Sequence, residues 1–343
     1  KSLNLSDGPL FQVVYFDLGE KKSSRLLIVF HHLVMDGVSW RIFMQDFTNV
    51  YLQLNRGATV QLPPKTTSFK YWSQQLTKFV QTAEARQELE YWMTISSNAK
   101  DVRPLPMDYP GGINTYGSTE NITLSLNRDE TEQLLKKVPQ FFGVEINSVL
   151  LTALMQLFNK WTGENTFLIE TEGHGRETIR EDVDVSRTVG WFTSMYPVLL
   201  KFENKDSLEY ELQSIDDQLN NIPNKGIGFG LLRYLIEDDE IKDRLSTIPD
   251  PQVNFNYLGQ FDQVIETEGE SVPMRMAREK VGPEQSPDAV RSASIYIVSI
   301  VNGGQLHVRW LYSTNLHKRS TIKKLAKSYI EELKRIVQHT LKT

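Results

Sequence analysis

Cysteine is absent from the 343 residues. That excludes a disulfide framework, a thiolate nucleophile and any metal held through sulfur. No apolar run approaches the ~20 residues of a membrane-spanning helix, and the opening lacks the charged-then-apolar pattern of a secretory leader. A cytoplasmic location is the expectation. Blocks of lysine and arginine are also missing, and the formal net charge is -5. Neither nucleic acid nor an anionic membrane surface is therefore an expected partner. Internal repeats and low-complexity segments do not occur. The glycine-rich stretch Asn224–Gly230 lacks the lysine-serine ending of a phosphate loop and is expected to be a tightly turning or mobile loop.

What remains is an ordinary globular composition, 40% hydrophobic and 24% charged, in a chain long enough for two cores. The most unusual stretch is His31-His32-Leu33-Val34-Met35-Asp36-Gly37. An apolar run of strand length, Leu26–Phe30, precedes it. Helically spaced Ile42, Phe43, Phe47, Val50, Tyr51 and Leu54 follow it. Two histidines thus stand where a buried strand opens into a turn, a place where a scaffold can hold a side chain yet leave it reachable. If the strand persisted through them they would point to opposite faces, one available for chemistry and one packed inside. A pair of satisfied core histidines is the competing account. Asp36 is expected to shape the turn, as a helix N-cap or ion-pair partner.

Further along, a strand Phe11–Leu18 is expected before Arg25–Phe30. One long helix is expected over 68–95, striped by Phe69, Trp72, Leu76, Phe79, Leu89 and Trp92. Between Ser96 and Gly117, prolines and glycines cluster. The expected division is 1–110 for a first lobe, 111–118 for a linker and 119–343 for a second lobe. The second lobe opens with a strand over Asn121–Leu126. A capping box follows at Asn127 and Glu130, then a helix over Asn147–Trp161, apolar nearly all round and ended by Gly163. Strands are expected over Met195–Phe202, Pro251–Leu258, Ser292–Val301 and Gln305–Tyr312, the last two joined by Asn302-Gly303-Gly304. Helices are expected over 208–221 and 321–341, and 260–291 reads as polar loop. The order is mixed, so the class is α+β.

The second unusual stretch is Thr166–Glu172 running into Gly173-His174-Gly175-Arg176-Glu177. A buried strand ending in carboxylates implies water, a cation or a substrate at its end; an exposed loop acid is the alternative for Glu172. His174 has no assigned role.

Taken together, His31-His32-Leu33-Val34-Met35-Asp36-Gly37-Val38-Ser39-Trp40 resembles the signature of the condensation-type domains of nonribosomal peptide synthetases. Glu172–Glu177, Val189–Pro197 and Asn254–Gln260 are similar to stretches of one branch, the epimerization domains. The resemblance implies two chloramphenicol-acetyltransferase-like lobes in a V with a tunnel between them. Only about 30 residues precede the histidine motif, so the first lobe is expected to lack its N-terminal part. The implied activity is inversion at Cα of an aminoacyl or peptidyl thioester on the phosphopantetheine arm of a carrier protein. No cofactor or metal of its own is implied. The expected partners are a peptidyl carrier protein, upstream in the same synthetase, and a downstream condensation domain.

Matched to the motifs, His32 and Glu172 are the implied proton-transfer pair, one from each lobe. Asn256, and less directly Tyr257, would donate to the developing oxyanion. Tyr257 should point the other way on a regular strand. His31, Asp36, Gly37 and Arg176 are implied to build the site, with Asp36 pairing Arg176 and tying the histidine loop to the second lobe. The competing functions are a condensation domain, which needs no acid opposite the histidine, and a non-catalytic carrier-docking module.

Overall fold

Among the described residues eight strands carry most of the architecture, and their order along the chain does not match their order in space. The structure is a computed structural model that describes residues 3–203, 207–260, 277, 279, 281–282 and 284–342. The elements run β1 (Phe11–Phe16), β2 (Arg25–Phe30), α1 (Gly37–Asn55), α2 (Phe69–Phe79), α3 (Ala83–Gln87), α4 (Leu89–Asn98) and β3 (Thr119–Ser125). Then come α5 (Arg128–Glu132), α6 (Val138–Phe142), α7 (Ile146–Thr162), β4 (Thr166–Gly173), β5 (Ser194–Lys201), α8 (Leu208–Asn220), α9 (Ile227–Tyr234) and α10 (Asp239–Ser246). β6 (Val253–Gln260), β7 (Ile295–Asn302), β8 (Gln305–Ser313) and α11 (Arg319–Lys342) complete the chain. The class is α+β, as expected. No single helix among the described residues is long and apolar enough to cross a membrane.

The chain divides into two compact units that are discontinuous in sequence. The smaller comprises residues 1–76, 174–193 and 263–282; the larger comprises 77–173, 194–262 and 283–343. The lobes expected from sequence are contiguous. Residues 77–118 fall inside the larger unit, and residues 174–193 fall with the smaller one.

In the smaller unit β1 and β2 form an antiparallel ribbon with Phe11 opposite Phe30. Their rings stack at 5.4 Å, and Phe30 meets Trp40 and Phe43 of α1 edge-on at 5.2 Å. α1 starts where Asp36 caps it, in keeping with the turn chemistry.

The larger unit is built on a six-stranded sheet ordered β3-β8-β7-β6-β4-β5. One face is closed by helices. Phe158 of α7 contacts Phe167 of β4, and Tyr329 of α11 contacts Trp310 of β8 while donating its hydroxyl to the Leu150 carbonyl. β4 and β6 run parallel, as do β6 and β7, and the remaining neighbours are antiparallel. The β7–β8 hairpin closes on Gly303 and Gly304, both at positive φ, with Asn302 paired to Gln305. That is the backbone of the mirror-image turn that suits the twist of paired strands. The Asn127–Glu130 capping box and the left-handed Gly163 cap are both present.

Two expectations are corrected. The long helix over 68–95 is three pieces, because the Thr82 side chain caps a new helix at the Ala85 N–H and interrupts the old one. An apolar stripe survives such a break, so periodicity alone does not reveal it. Gly228 and Gly230, expected in a loop, lie inside α9. Burial of Ile227, Phe229, Leu231 and Leu232 outweighs the poor helix propensity of glycine. The tight turn is confined to 223–226, where Asn224, Lys225 and Gly226 all have positive φ. Of the expected loop over 260–291, residues 261–276 lie outside the described residues.

Candidate functional site

The histidine turn is held from below by a buried ion pair. Asp36 is 2% exposed and its carboxylate collects four donors. The Ser39 N–H reaches Oδ1 at 2.7 Å and the Phe192 N–H reaches Oδ2 at 3.0 Å; Arg176 binds side-on, Nη1 to Oδ2 at 2.8 Å and Nη2 to Oδ1 at 3.1 Å. Burial works against the charge, but the Arg176, Ser39 and Phe192 donors outweigh it and hold the carboxyl below its ordinary value. The second Arg176 nitrogen also donates to Ser39 Oγ and the Thr188 carbonyl, and the guanidinium lies 4.0 Å over the Phe192 ring. Ser39 Oγ and the Gly190 backbone exchange hydrogen bonds at 2.9 and 3.0 Å.

The Asp36–Arg176 pairing is present, but what it ties down is residues 174–193, which belong to the same compact unit as the histidine turn. Gly175 makes the approach possible. It has a φ of +65°, and a Cβ placed there would collide with the Phe192 carbonyl oxygen.

β2 ends at Phe30, so the strand alternation expected of the two histidines does not extend to them. His31 donates its N–H to the Leu10 carbonyl at 2.8 Å and turns Nδ1 back to the Leu33 N–H at 3.2 Å, capping the short turn His32–Val34. His32 is left exposed, with its ring 4.8 Å from the Trp191 ring. Gly37 is the first residue of α1. His174 accepts the Arg176 N–H at Nδ1 and sits 3.4 Å from Glu177.

In the larger unit a polar cluster occupies the sheet face opposite the helix-covered core. Phe167, Ile169 and Thr171 of β4 are buried on the core side, so Glu170 and Glu172 share the other side. Parallel pairing of β4 and β6 sets Glu170 beside Asn254. Asn256 donates its amide to Glu172 Oε2, and the Asn254 amide reaches Glu170 Oε2 at 3.0 Å and Glu172 Oε1 at 3.4 Å. Amide donors stabilise the ionised form of a carboxylate, the form able to accept a proton. The Asn256 amide, expected to face an oxyanion, donates to the Glu172 carboxylate. Tyr257 pairs with Ser299, on the other face from Asn256, and burial pushes its phenol up from the ordinary value.

Sequence reasoning leaves Glu170, Asn254 and Trp191 without roles. Alternation along β4 is the one available signal for Glu170. The contact of Asn254 with both acids spans 84 and 82 residues and could not be anticipated locally. No cluster of three or more histidine or carboxylate side chains suited to a metal occurs among the described residues.

Known proteins share both the sequence pattern and the fold. The Condensation domain family model matches residues 1–343. A linear gramicidin synthase polypeptide of Brevibacillus parabrevis is 45% identical over 340 residues, covering 98% of this chain and 4% of that protein. Gramicidin S synthase 1 of Brevibacillus brevis is 36% identical over 342 residues, covering 98% of this chain and 31% of that protein. The chain therefore spans a small part of these curated relatives. Among solved structures, the epimerization domain from the third module of tyrocidine synthetase B superposes with a TM-score of 0.91. It is 35% identical, with 100% of this chain and 75% of that one covered.

Proposed function

The chain belongs to the Condensation domain family, and from that premise we propose that it is an epimerization domain. Its substrate is an aminoacyl or peptidyl thioester tethered to the phosphopantetheine arm of a carrier protein, and its reaction is inversion at Cα. The observation that carries the proposal is the ionisable Glu172 at the end of β4, gripped by the amides of Asn254 and Asn256. A peptide-bond-forming domain has no step that calls for a carboxylate so prepared.

A thioester carbonyl acidifies the adjacent C–H. Glu172 takes that proton, the C–H bonding pair moves into the Cα–C bond, and the carbonyl oxygen takes up the negative charge. A second group then delivers a proton to Cα from the opposite side, and His32 is assigned this role because an imidazole gives and takes protons near neutral pH. In the reverse direction the two groups exchange duties, and no redox partner or co-reactant is needed. The partners that follow are a carrier protein presenting the thioester and a downstream condensation domain accepting the inverted residue. A cytoplasmic location fits this setting.

The test is to incubate the chain in D2O with carrier proteins loaded with a panel of L-aminoacyl thioesters, then release and resolve the products. Appearance of D-aminoacyl product with deuterium at Cα, lost in Glu172→Gln and in His32→Ala, is the expected result. A peptide product with an acceptor aminoacyl carrier, and no deuterium at Cα, would identify a condensation domain instead. Carrier binding with neither product would identify a docking module.

A further inference from the structure

Glu170 stands two residues before Glu172 on the same face of β4, and burial leaves it short of water. Its Oε2 accepts the Asn254 Nδ2 donor at 3.0 Å, while that nitrogen lies 3.4 Å from Glu172 Oε1. An amide nitrogen carries two hydrogens in one plane, so Asn254 serves both carboxylates in only one side-chain orientation. Asn254 is 1% exposed, so water does not compete to reorient it. The shorter contact anchors the amide, and the longer one is what the anchor aims.

We propose that Glu170 is a positioning residue: it holds the Asn254 amide so that the second N–H is directed at Glu172 and favours the carboxylate form of that residue. The inference rests on the role proposed above for Glu172. The charges around Glu170 support it. Burial raises its proton affinity and Asp250 adds to the rise, while the Asn254 amide and Arg233 of α9 pull it down without cancelling the effect. Glu172 is the acid on its own strand, Tyr296 of β7 lies in register with Asn254, and Pro197 of β5 faces Glu170 without a charge. A carboxyl pushed toward its neutral form still accepts through its carbonyl oxygen and puts less negative charge beside Glu172. Two carboxyls in unlike surroundings thus divide the work, one anchoring and one exchanging protons.

The experiment follows deuterium entry at Cα of carrier-bound L-aminoacyl thioesters as a function of pH. Glu170→Ala removes the anchor. The rate should fall about tenfold, and its acid limb should move up by roughly half a pH unit or more, because Glu172 loses a donor to its ionised form. Glu170→Gln keeps an acceptor of the same shape and should restore both the rate and the limb. Asn254→Leu, which removes the amide from the other end, should reproduce the limb shift and serves if the alanine variant does not fold. An unshifted limb in the folded variants, or a glutamine variant as impaired as the alanine one, overturns the proposal. Glu172→Gln runs alongside: exchange that survives it refutes the role of Glu172 itself, a result separate from failure of the Glu170 variants.

Discussion

Replacing Arg176 by methionine should be among the most destabilising single changes in the smaller unit. The side chains of Arg176 and Asp36 are 6% and 2% exposed, so the substitution strands a carboxylate in a site built for its charge. The Ser39 and Phe192 N–H donors remain, but both guanidinium bonds to the carboxylate, the bonds to Ser39 Oγ and Thr188, and the contact over Phe192 disappear. Breaking one side of a buried pair costs about 3–5 kcal/mol, against about 5–15 kcal/mol for a whole domain. An exposed pair would cost less than about 1 kcal/mol, so the two cases are well separated.

The pH dependence supplies an independent check. Asp36 has its carboxyl lowered from 3.8 in the folded state, so its contribution is fully present above 3.8 and is lost as pH falls through the lower folded value. Without Arg176 the largest of the lowering influences is gone, so Asp36 takes up its proton at higher pH than in the native chain. The stability gap between the native chain and Arg176→Met should therefore narrow as pH is taken from 7 to below 4. Urea unfolding at several pH values, with Asp36→Asn and the double variant completing a mutant cycle, measures both quantities. A loss under about 1 kcal/mol at neutral pH, or a gap that does not change with pH, would refute the reasoning.

Three more outcomes are expected. Glu172→Gln and His32→Ala should each lower α-proton exchange by about a hundredfold or more, read as deuterium incorporation, with melting behaviour close to native. Gly175→Ala should expose residues 174–193 to limited proteolysis, because the added methyl cannot coexist with the Phe192 carbonyl; an unchanged digestion pattern would contradict this. Gly303→Ala, at a φ of +61°, should cost about 1 kcal/mol in thermal unfolding through left-handed strain in the hairpin turn, with no effect on exchange.

Local chemistry determined the punctuation of this chain. The Gly-Gly hairpin, the Asn127–Glu130 capping box, the Gly163 stop and the Asp36 cap each depend on residues a few positions apart, and all were legible in the amino-acid order. So were the two unusual stretches, because histidines at a strand end and carboxylates on an apolar strand are locally costly. Tertiary structure alone decided which segments share a core and which groups touch. Residues 174–193 join the unit of the histidine turn because Arg176 satisfies a buried Asp36 that lies 140 residues earlier. The Glu170–Asn254–Glu172 bridge exists because β4 and β6 pair in parallel in one register. Nothing in either strand's own sequence names its neighbour, since backbone pairing is indifferent to side chains and register is selected by the packing of the whole sheet.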